Sequence, residues 1–268
     1  MQLNDKIILI TGASSGFGAD AARLFAKEGA KVVLTARRKE RLRALADEIR
    51  AEGGEALVIP VDLAKVDEIL AMVQRTLEHY GRIDILFNNA GFGHLDTFEN
   101  FDVEKDIAYQ IDVNLTGLMQ VTRAVLPQML ARGSGHIINM SSAAGWIALP
   151  FYSVYAAAKF GVRAFTDALR REVSHRGVYV TGIYPGPAET EFGKNKAIGS
   201  VSHLRHVPSW AVMSSEYVAE QVVKVAKKPR HRLILPWWFG WVIGFDAHCP
   251  RLSNWLQIWF AKKQKKDF

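Results

Sequence analysis

Short, almost continuously apolar runs alternate with longer stretches in which apolar side chains recur every three or four residues. The runs are Ile7–Ile10, Val32–Thr35, Ala56–Val61, Ile83–Phe87, His136–Met140, Val178–Ile183 and Arg232–Leu235. Strands that lack polar alternation are buried on both faces, as in a parallel sheet covered by helices. The intervening pattern predicts helices over about 16–28, 38–52, 66–80, 102–131, 152–176 and 215–228. Gly29, Gly53, Gly81, Gly133 and Gly177 fall just past these stretches, where a left-handed residue ends a helix. The alternation predicts an α/β, doubly wound, seven-stranded parallel sheet with helices on both faces. No repeat, low-complexity tract or linker interrupts it, so residues 1–236 read as one domain. Two stretches break the rhythm. One is a loop from Gly186 to about Ser214, and the other is a tail over 237–268.

Composition changes the picture mainly in that tail. The chain has 268 residues and a net charge of +7. Residues 1–200 balance 23 Lys and Arg against 23 Asp and Glu, whereas residues 201–268 carry 11 against 4. Five of the seven Trp lie in the tail over 237–268: Trp237, Trp238, Trp241, Trp255 and Trp259. A basic aromatic end points to a subunit interface or a membrane surface. No nucleic-acid module accompanies it, and no nucleic-acid partner is expected. The single cysteine, Cys249, excludes an intramolecular disulfide and a cysteine-built zinc site. His203 and His206 stand three apart without a third ligand, so no metal is expected. Met1 to Lys6 is polar and runs into the first strand, which predicts no secretory leader.

The first strand leads into Thr11-Gly12-Ala13-Ser14-Ser15-Gly16-Phe17-Gly18 and then a helix. Glycines let a backbone turn tightly against a pyrophosphate, and a helix N-terminus supplies N–H donors and a positive dipole end. In this strand–turn–helix setting the motif predicts a Rossmann-type dinucleotide site built on Gly12, Ser14, Ser15, Gly16, Phe17 and Gly18. NAD-binding folds commonly place a carboxylate at the end of the second strand, for the ribose 2′-hydroxyl. Here that strand ends in Arg37-Arg38, two guanidiniums suited to a 2′-phosphate, so NADP(H) is the expected cofactor. Asp62-Leu63 after the third strand and Asn89-Ala90-Gly91 after the fourth fall at the carboxyl ends of strands, where such a crevice lies.

Tyr155 and Lys159 are spaced to share one face of a predicted helix. An ammonium beside a phenol lowers its pKa toward the range useful for proton transfer. Ser142, at the end of the fifth strand, can hydrogen-bond a substrate carbonyl, and Ser141 is the neighbour that could be mistaken for it. Asn114 is an odd choice for the interior of the long predicted helix. With these residues in hand, the chain resembles the short-chain dehydrogenase/reductase family over roughly residues 5–236. Thr11–Gly18 matches that family's T-G-x-x-x-G-x-G motif and Asn88–Gly91 its N-N-A-G motif. Asn114, Ser142, Tyr155 and Lys159 match its catalytic tetrad, and Pro185-Gly186 with Thr190 its P-G-x-x-x-T segment. The resemblance implies that Tyr155 is the general acid/base and that Ser142 positions the carbonyl. It implies that Lys159 binds the nicotinamide ribose and lowers the Tyr155 pKa, that Asn114 holds a relay water, and that Thr190 contacts the carboxamide. It also implies a homodimer or homotetramer, of hydroxysteroid-, retinol-dehydrogenase-like or ketoacyl-reductase-like type.

The segment after Ser142 is nearly all apolar and brings Trp146, Phe151 and Tyr152 beside the chemistry. The Gly186–Ser214 loop adds Phe192, Ile198, Leu204 and Trp210. An apolar wall without convergent charge predicts a hydrophobic ketone, aldehyde or alcohol as substrate. Two other classes remain open: a membrane-surface lipid or acyl-chain reductase, and a non-catalytic NADP-binding sensor, against which the complete tetrad argues. In the tail, Leu233–Phe245 is too short to span a bilayer, and Leu252, Trp255, Leu256, Trp259 and Phe260 recur at helical spacing before Lys262, Lys263, Lys265 and Lys266. This fits a cytoplasmic protein with the tail either at a subunit interface or peripheral to a membrane.

Overall fold

A computed structural model describes residues 2–191 and 207–265 of the chain. Phe192, Ile198, His203, Leu204, His206 and Lys266 lie outside the described residues.

Seven strands, β1 (Ile7–Thr11), β2 (Lys31–Ala36), β3 (Glu55–Pro60), β4 (Ile85–Asn88), β5 (Gly135–Met140), β6 (Val178–Pro185) and β7 (Arg232–Leu235), form one sheet in the order β3-β2-β1-β4-β5-β6-β7. All six pairings are parallel, and Ile8 stands between Val32 and Ile85. Alternate residues of β1 explain its unbroken apolar run. Ile8 and Ile10 enter a core with α1 (Gly16–Lys27), α2 (Lys39–Ala51) and α7 (Ser215–Lys227), through Phe25, Leu42 and Val222. Ile7 and Leu9 enter the opposite core with α3 (Val66–Tyr80), α5 (Gly117–Arg132) and α6 (Ser153–Val173), through Met72, Val125 and Leu169. Each fully buried side chain of this size contributes about 1.5–3 kcal/mol of transfer free energy. All five glycines expected to stop helices have positive φ, from 62° to 84°.

The long helix expected over 102–131 is not continuous. Val103–Ala108 and Asp112–Thr116 are π-helical, with a single turn, α4 (Tyr109–Ile111), between them, and regular α-helix begins only at Gly117. The tail folds into two consecutive helices, α8 (Phe239–His248) and α9 (Pro250–Lys265). α8 buries none of its residues, and Trp237, Trp241, Trp255 and Trp259 are all exposed. No described helix is long and apolar enough to cross a membrane.

The strand order reverses between β1 and β4. Crossovers on either side of that point leave in opposite directions, so the strand ends there border a crevice. Thr11 and Asn88, which close β1 and β4, lie at that switch point.

Candidate active site

The turn after β1 and the loop after β4 interlock. Gly12 has φ 69°, and a Cβ on it would lie 2.7 Å from Ala90 Cα, so the turn tolerates no side chain there. A Cβ on Gly18 would lie 2.5 Å from Asn89 Nδ2. The Thr11 hydroxyl accepts from the backbone N–H groups of Asn89 and Ala90, each at 3.0 Å. Asn89 Nδ2 donates in return to the carbonyls of Thr11 at 3.1 Å and Gly12 at 3.3 Å. Ser15, at the N-cap of α1, makes no side-chain cap to the helix. The first turn of α1 therefore keeps donors and a positive dipole end with no capping side chain, a setting that fits a pyrophosphate. Thr190 crosses this turn, with its Cβ 3.4 Å from where a Gly16 Cβ would stand. Gly186 N–H donates to Leu235 O at 2.7 Å, which ties the start of that segment to β7.

At the other end of the crevice, α6 carries Tyr155 and Lys159 one turn apart, both buried. Lys159 Nζ donates to Met140 O at 3.1 Å and lies 5.6 Å from the Tyr155 ring centroid. Ser142, just past β5, accepts from Ala144 N–H at 3.1 Å and hydrogen-bonds to Tyr155. Ser141 is turned to a different task, its Oγ donating to Lys159 O at 2.9 Å. Asn114 is fully buried in the second π-helical stretch. Its Oδ1 accepts from Phe92 N–H at 2.9 Å and its Nδ2 donates to Phe92 O at 2.7 Å. Gly91 fits between Asn114 and Lys159, since a Cβ there would lie 3.0 Å from Asn114 Oδ1 and 3.2 Å from Lys159 Nζ.

Burial dominates the electrostatics here. It pushes the Tyr155 phenol up to about 12, against a smaller downward pull from the Ser142 hydrogen bond. It pulls the Lys159 ammonium down to about 8. The net shift of the Tyr155 phenol in this structure is thus upward, where the resemblance implied a lowering by Lys159. Removing the phenolate from water costs more than the Ser142 hydrogen bond returns.

The end of the crevice at Arg38 is charged and exposed. Arg38 Nε donates to Ser14 Oγ at 3.0 Å, Nη2 to Ser15 Oγ at 2.6 Å, and Nη1 to Glu191 Oε2 at 2.7 Å. Arg41 pairs with the other Glu191 oxygen. Arg37 donates to the Tyr109 hydroxyl, which donates to Asp62 Oδ1 at 3.3 Å. Asp62 also accepts from Ala64 N–H at 3.1 Å, while the Leu63 side chain is buried in the core beside α5.

Comparison with known proteins decides the family. Residues 6–199 match the short chain dehydrogenase family. The chain belongs to the short-chain dehydrogenase family. An 11-beta-hydroxysteroid dehydrogenase 1A of Arabidopsis thaliana is 34% identical over 262 residues, covering 94% of this chain and 74% of the relative. A short-chain dehydrogenase from Sphingobium yanoikuyae, solved with NADPH, superposes with TM-score 0.79 at 32% identity, covering 93% of this chain and 96% of its own. A short chain dehydrogenase/reductase from Burkholderia phymatum, solved with NAD, superposes with TM-score 0.84 at 25% identity, covering 94% of this chain and 96% of its own. A nicotinamide dinucleotide is the cofactor class, and this chain is an oxidoreductase of the short-chain dehydrogenase family.

Of the apolar residues predicted to wall this short-chain dehydrogenase's substrate site, Tyr152 packs on Tyr155, with ring centroids 6.2 Å apart. Leu95, which the pattern did not single out, is fully buried in the same cluster. Phe151 adopts φ 69° just before α6. Trp146 does not join this group. Its ring lies 3.5 Å from the Arg163 guanidinium carbon and 5.6 Å from the Tyr184 ring. Arg41, Tyr109 and Glu191 were also missed. Arg41 carries a weak signal, because it follows Arg38 by three on α2. Among the described residues no group of three or more His, Cys, Asp or Glu could hold a metal ion.

Proposed function

We propose that the protein is an NADP(H)-dependent oxidoreductase acting on a hydrophobic ketone, aldehyde or alcohol, with Tyr155 as general acid/base. The observation that supports this most is the buried Tyr155, hydrogen-bonded to Ser142 and one turn from Lys159. A bound nicotinamide would supply or accept the hydride. Ser142 would hold the carbonyl oxygen, and Tyr155 would deliver a proton to it from its phenol oxygen. Burial pushes the phenol up to about 12, so at neutral pH it is in the protonated form that can donate to a carbonyl oxygen. Lys159 would hold the nicotinamide ribose through its buried ammonium, and Asn114, clamped on Phe92, would keep the loop at Gly91 in place. Gly12, Ser14, Ser15, Gly16, Phe17 and Gly18 would cradle the pyrophosphate and its ribose. Asp62, Leu63, Asn89, Ala90 and Gly91 would border the adenosine, and Pro185, Gly186 and Thr190 the carboxamide.

The NADP(H) preference rests on Arg37 and Arg38, with no carboxylate at the end of β2. The apolar substrate rests on Leu95, Ala144 and Tyr152 around Tyr155, and the hydroxysteroid-dehydrogenase relative acts in the same sense. Residues 237–268 read as a contact element of the same unit, for a second subunit or a membrane surface, because Trp237, Trp241, Trp255 and Trp259 stand exposed. Deleting them should change the oligomeric mass or the liposome binding, and no change in either would refute that reading. An NADPH-oxidation screen over hydrophobic carbonyls, sugar phosphates and small keto acids tests the main proposal. Turnover of apolar carbonyls is expected, and turnover confined to charged substrates would overturn it.

A further inference from the structure

Glu191 sits in a cradle of donors. Arg38 Nη1 reaches its Oε2 at 2.7 Å, Arg41 pairs with its Oε1, and Ser15 adds a hydrogen bond. The same Arg38 is held flat by Ser14 Oγ, at 3.0 Å from Nε and 2.9 Å from Nη2. Two guanidiniums and a serine hydroxyl converging on one anion is phosphate-binding chemistry, and here the anion belongs to the chain itself. The donors come from α2 and the glycine turn, whereas the carboxylate comes from 153 residues away, after β6. We propose that Glu191 is a built-in competitor for the cofactor's 2′-phosphate, which must displace its carboxylate from Arg38 and Arg41 to bind. The inference rests on the NADP(H) reading above and adds a residue that sets how strong the preference is.

The arrangement bears on the rest of the site. Glu191 directly follows Thr190, which crosses the glycine turn at Gly16. Release of Glu191 therefore frees the residue next to one that borders the pyrophosphate turn. The carboxylate has no comparable reason to oppose a cofactor with a plain 2′-hydroxyl, which carries no charge to compete for the arginines. The well-lowered pKa of Glu191, down to about 2, agrees with an anion held by several donors at every working pH. The Arg38 and Arg41 side chains are 41% and 50% exposed, so solvent limits the effect to about three- to tenfold in affinity.

The test is calorimetric titration of the full-length protein with NADPH, NADH and 2′-AMP, in wild type, Glu191→Gln, Glu189→Gln and Arg38→Ala. Glu189 is exposed two residues away and carries the same charge. Glu191→Gln should tighten NADPH and 2′-AMP by about three- to tenfold and leave NADH within about twofold. Glu189→Gln should change none of the three. Unchanged NADPH and 2′-AMP affinity in Glu191→Gln would overturn the proposal, as would an equal gain in Glu189→Gln. A weakened NADH with unchanged NADPH would also overturn it, because the carboxylate would then be holding the ribose hydroxyl. If Arg38→Ala weakens NADPH while Glu191→Gln is silent, only the competitor idea fails. If Arg38→Ala is silent as well, the 2′-phosphate reading falls with it.

Discussion

The two ends of the crevice hold their charged groups by opposite means. Around Tyr155 the groups are buried: Lys159 is 3% exposed and Tyr155 8%. Burial there moves both titrations in the direction of the neutral form, to about 8 for the amine and about 12 for the phenol. Around Arg38 the groups stand in solvent and are held by multiple donors, so pairing, not burial, sets the state of Glu191. On the proposed function, the difference separates chemistry from recognition. A buried phenol and amine are tuned by the fold and change little with salt. An exposed guanidinium cluster can be re-aimed by single surface substitutions and is screened by ions.

The sharpest way to break this comparison is at the buried end. Tyr155→Phe should cut turnover by at least about 100-fold while NADPH binding is retained, measured by steady-state rates and calorimetry. Retained turnover would remove Tyr155 from its role. Ser142→Ala should lose a similar factor. Ser141→Ala should mainly destabilise the fold by about 1 kcal/mol in chemical denaturation, since its hydroxyl serves the Lys159 carbonyl.

At the exposed end, an Arg37→Ala/Arg38→Ala double variant should weaken NADPH by at least about tenfold at low salt and leave NADH nearly unchanged. The gap should narrow as salt is added, whereas the Tyr155→Phe defect should not respond. A salt-independent gap would mean that the arginines act by shape and not by charge.

The smallest expected effect is on pH dependence, and it carries two signs. Folded, Lys159 releases its proton near 8, but unfolded it keeps it up to its ordinary 10.5. Between those values the unfolded chain holds more protons, so the contribution of this group to stability rises with pH. Turnover should fall around pH 8, as the folded ammonium is lost. Thermal unfolding and rate profiles from pH 7 to 10 check both, and parallel profiles would contradict the assignment.

Much of the fold was legible because burial on both faces leaves no polar alternation. Ile7 and Leu9 face one core, Ile8 and Ile10 the other, and all four read as apolar. The 102–131 stretch was misread because its hydrogen-bond register depends on distant partners. Asn114 closes on Phe92, 22 residues earlier, and Gln110 on His94, 16 earlier. An i→i+5 winding is rare, and it is common at functional sites. Trp146 had the right neighbours in sequence but points to Arg163 and Tyr184, a choice made by α6 and β6.

The sequence by itself determined the parallel sheet, the glycine turn at Gly12–Gly18, and that Tyr155 and Lys159 would share one helix face. Those features follow from local spacing: a period of two or of 3.6, a turn that only glycine fits, a residue one helical turn after another. Tertiary structure alone decided the rest. It put Glu191 on Arg38 and Arg41, Leu95 against Tyr155, and Phe92 in the grip of Asn114. It also raised the Tyr155 phenol instead of lowering it. Each of these depends on what surrounds a group from parts of the chain far away in sequence. Solvent exclusion and cross-chain pairing have no local pattern, so they emerge only once β4, β5, β6 and the helices that cover them are in place.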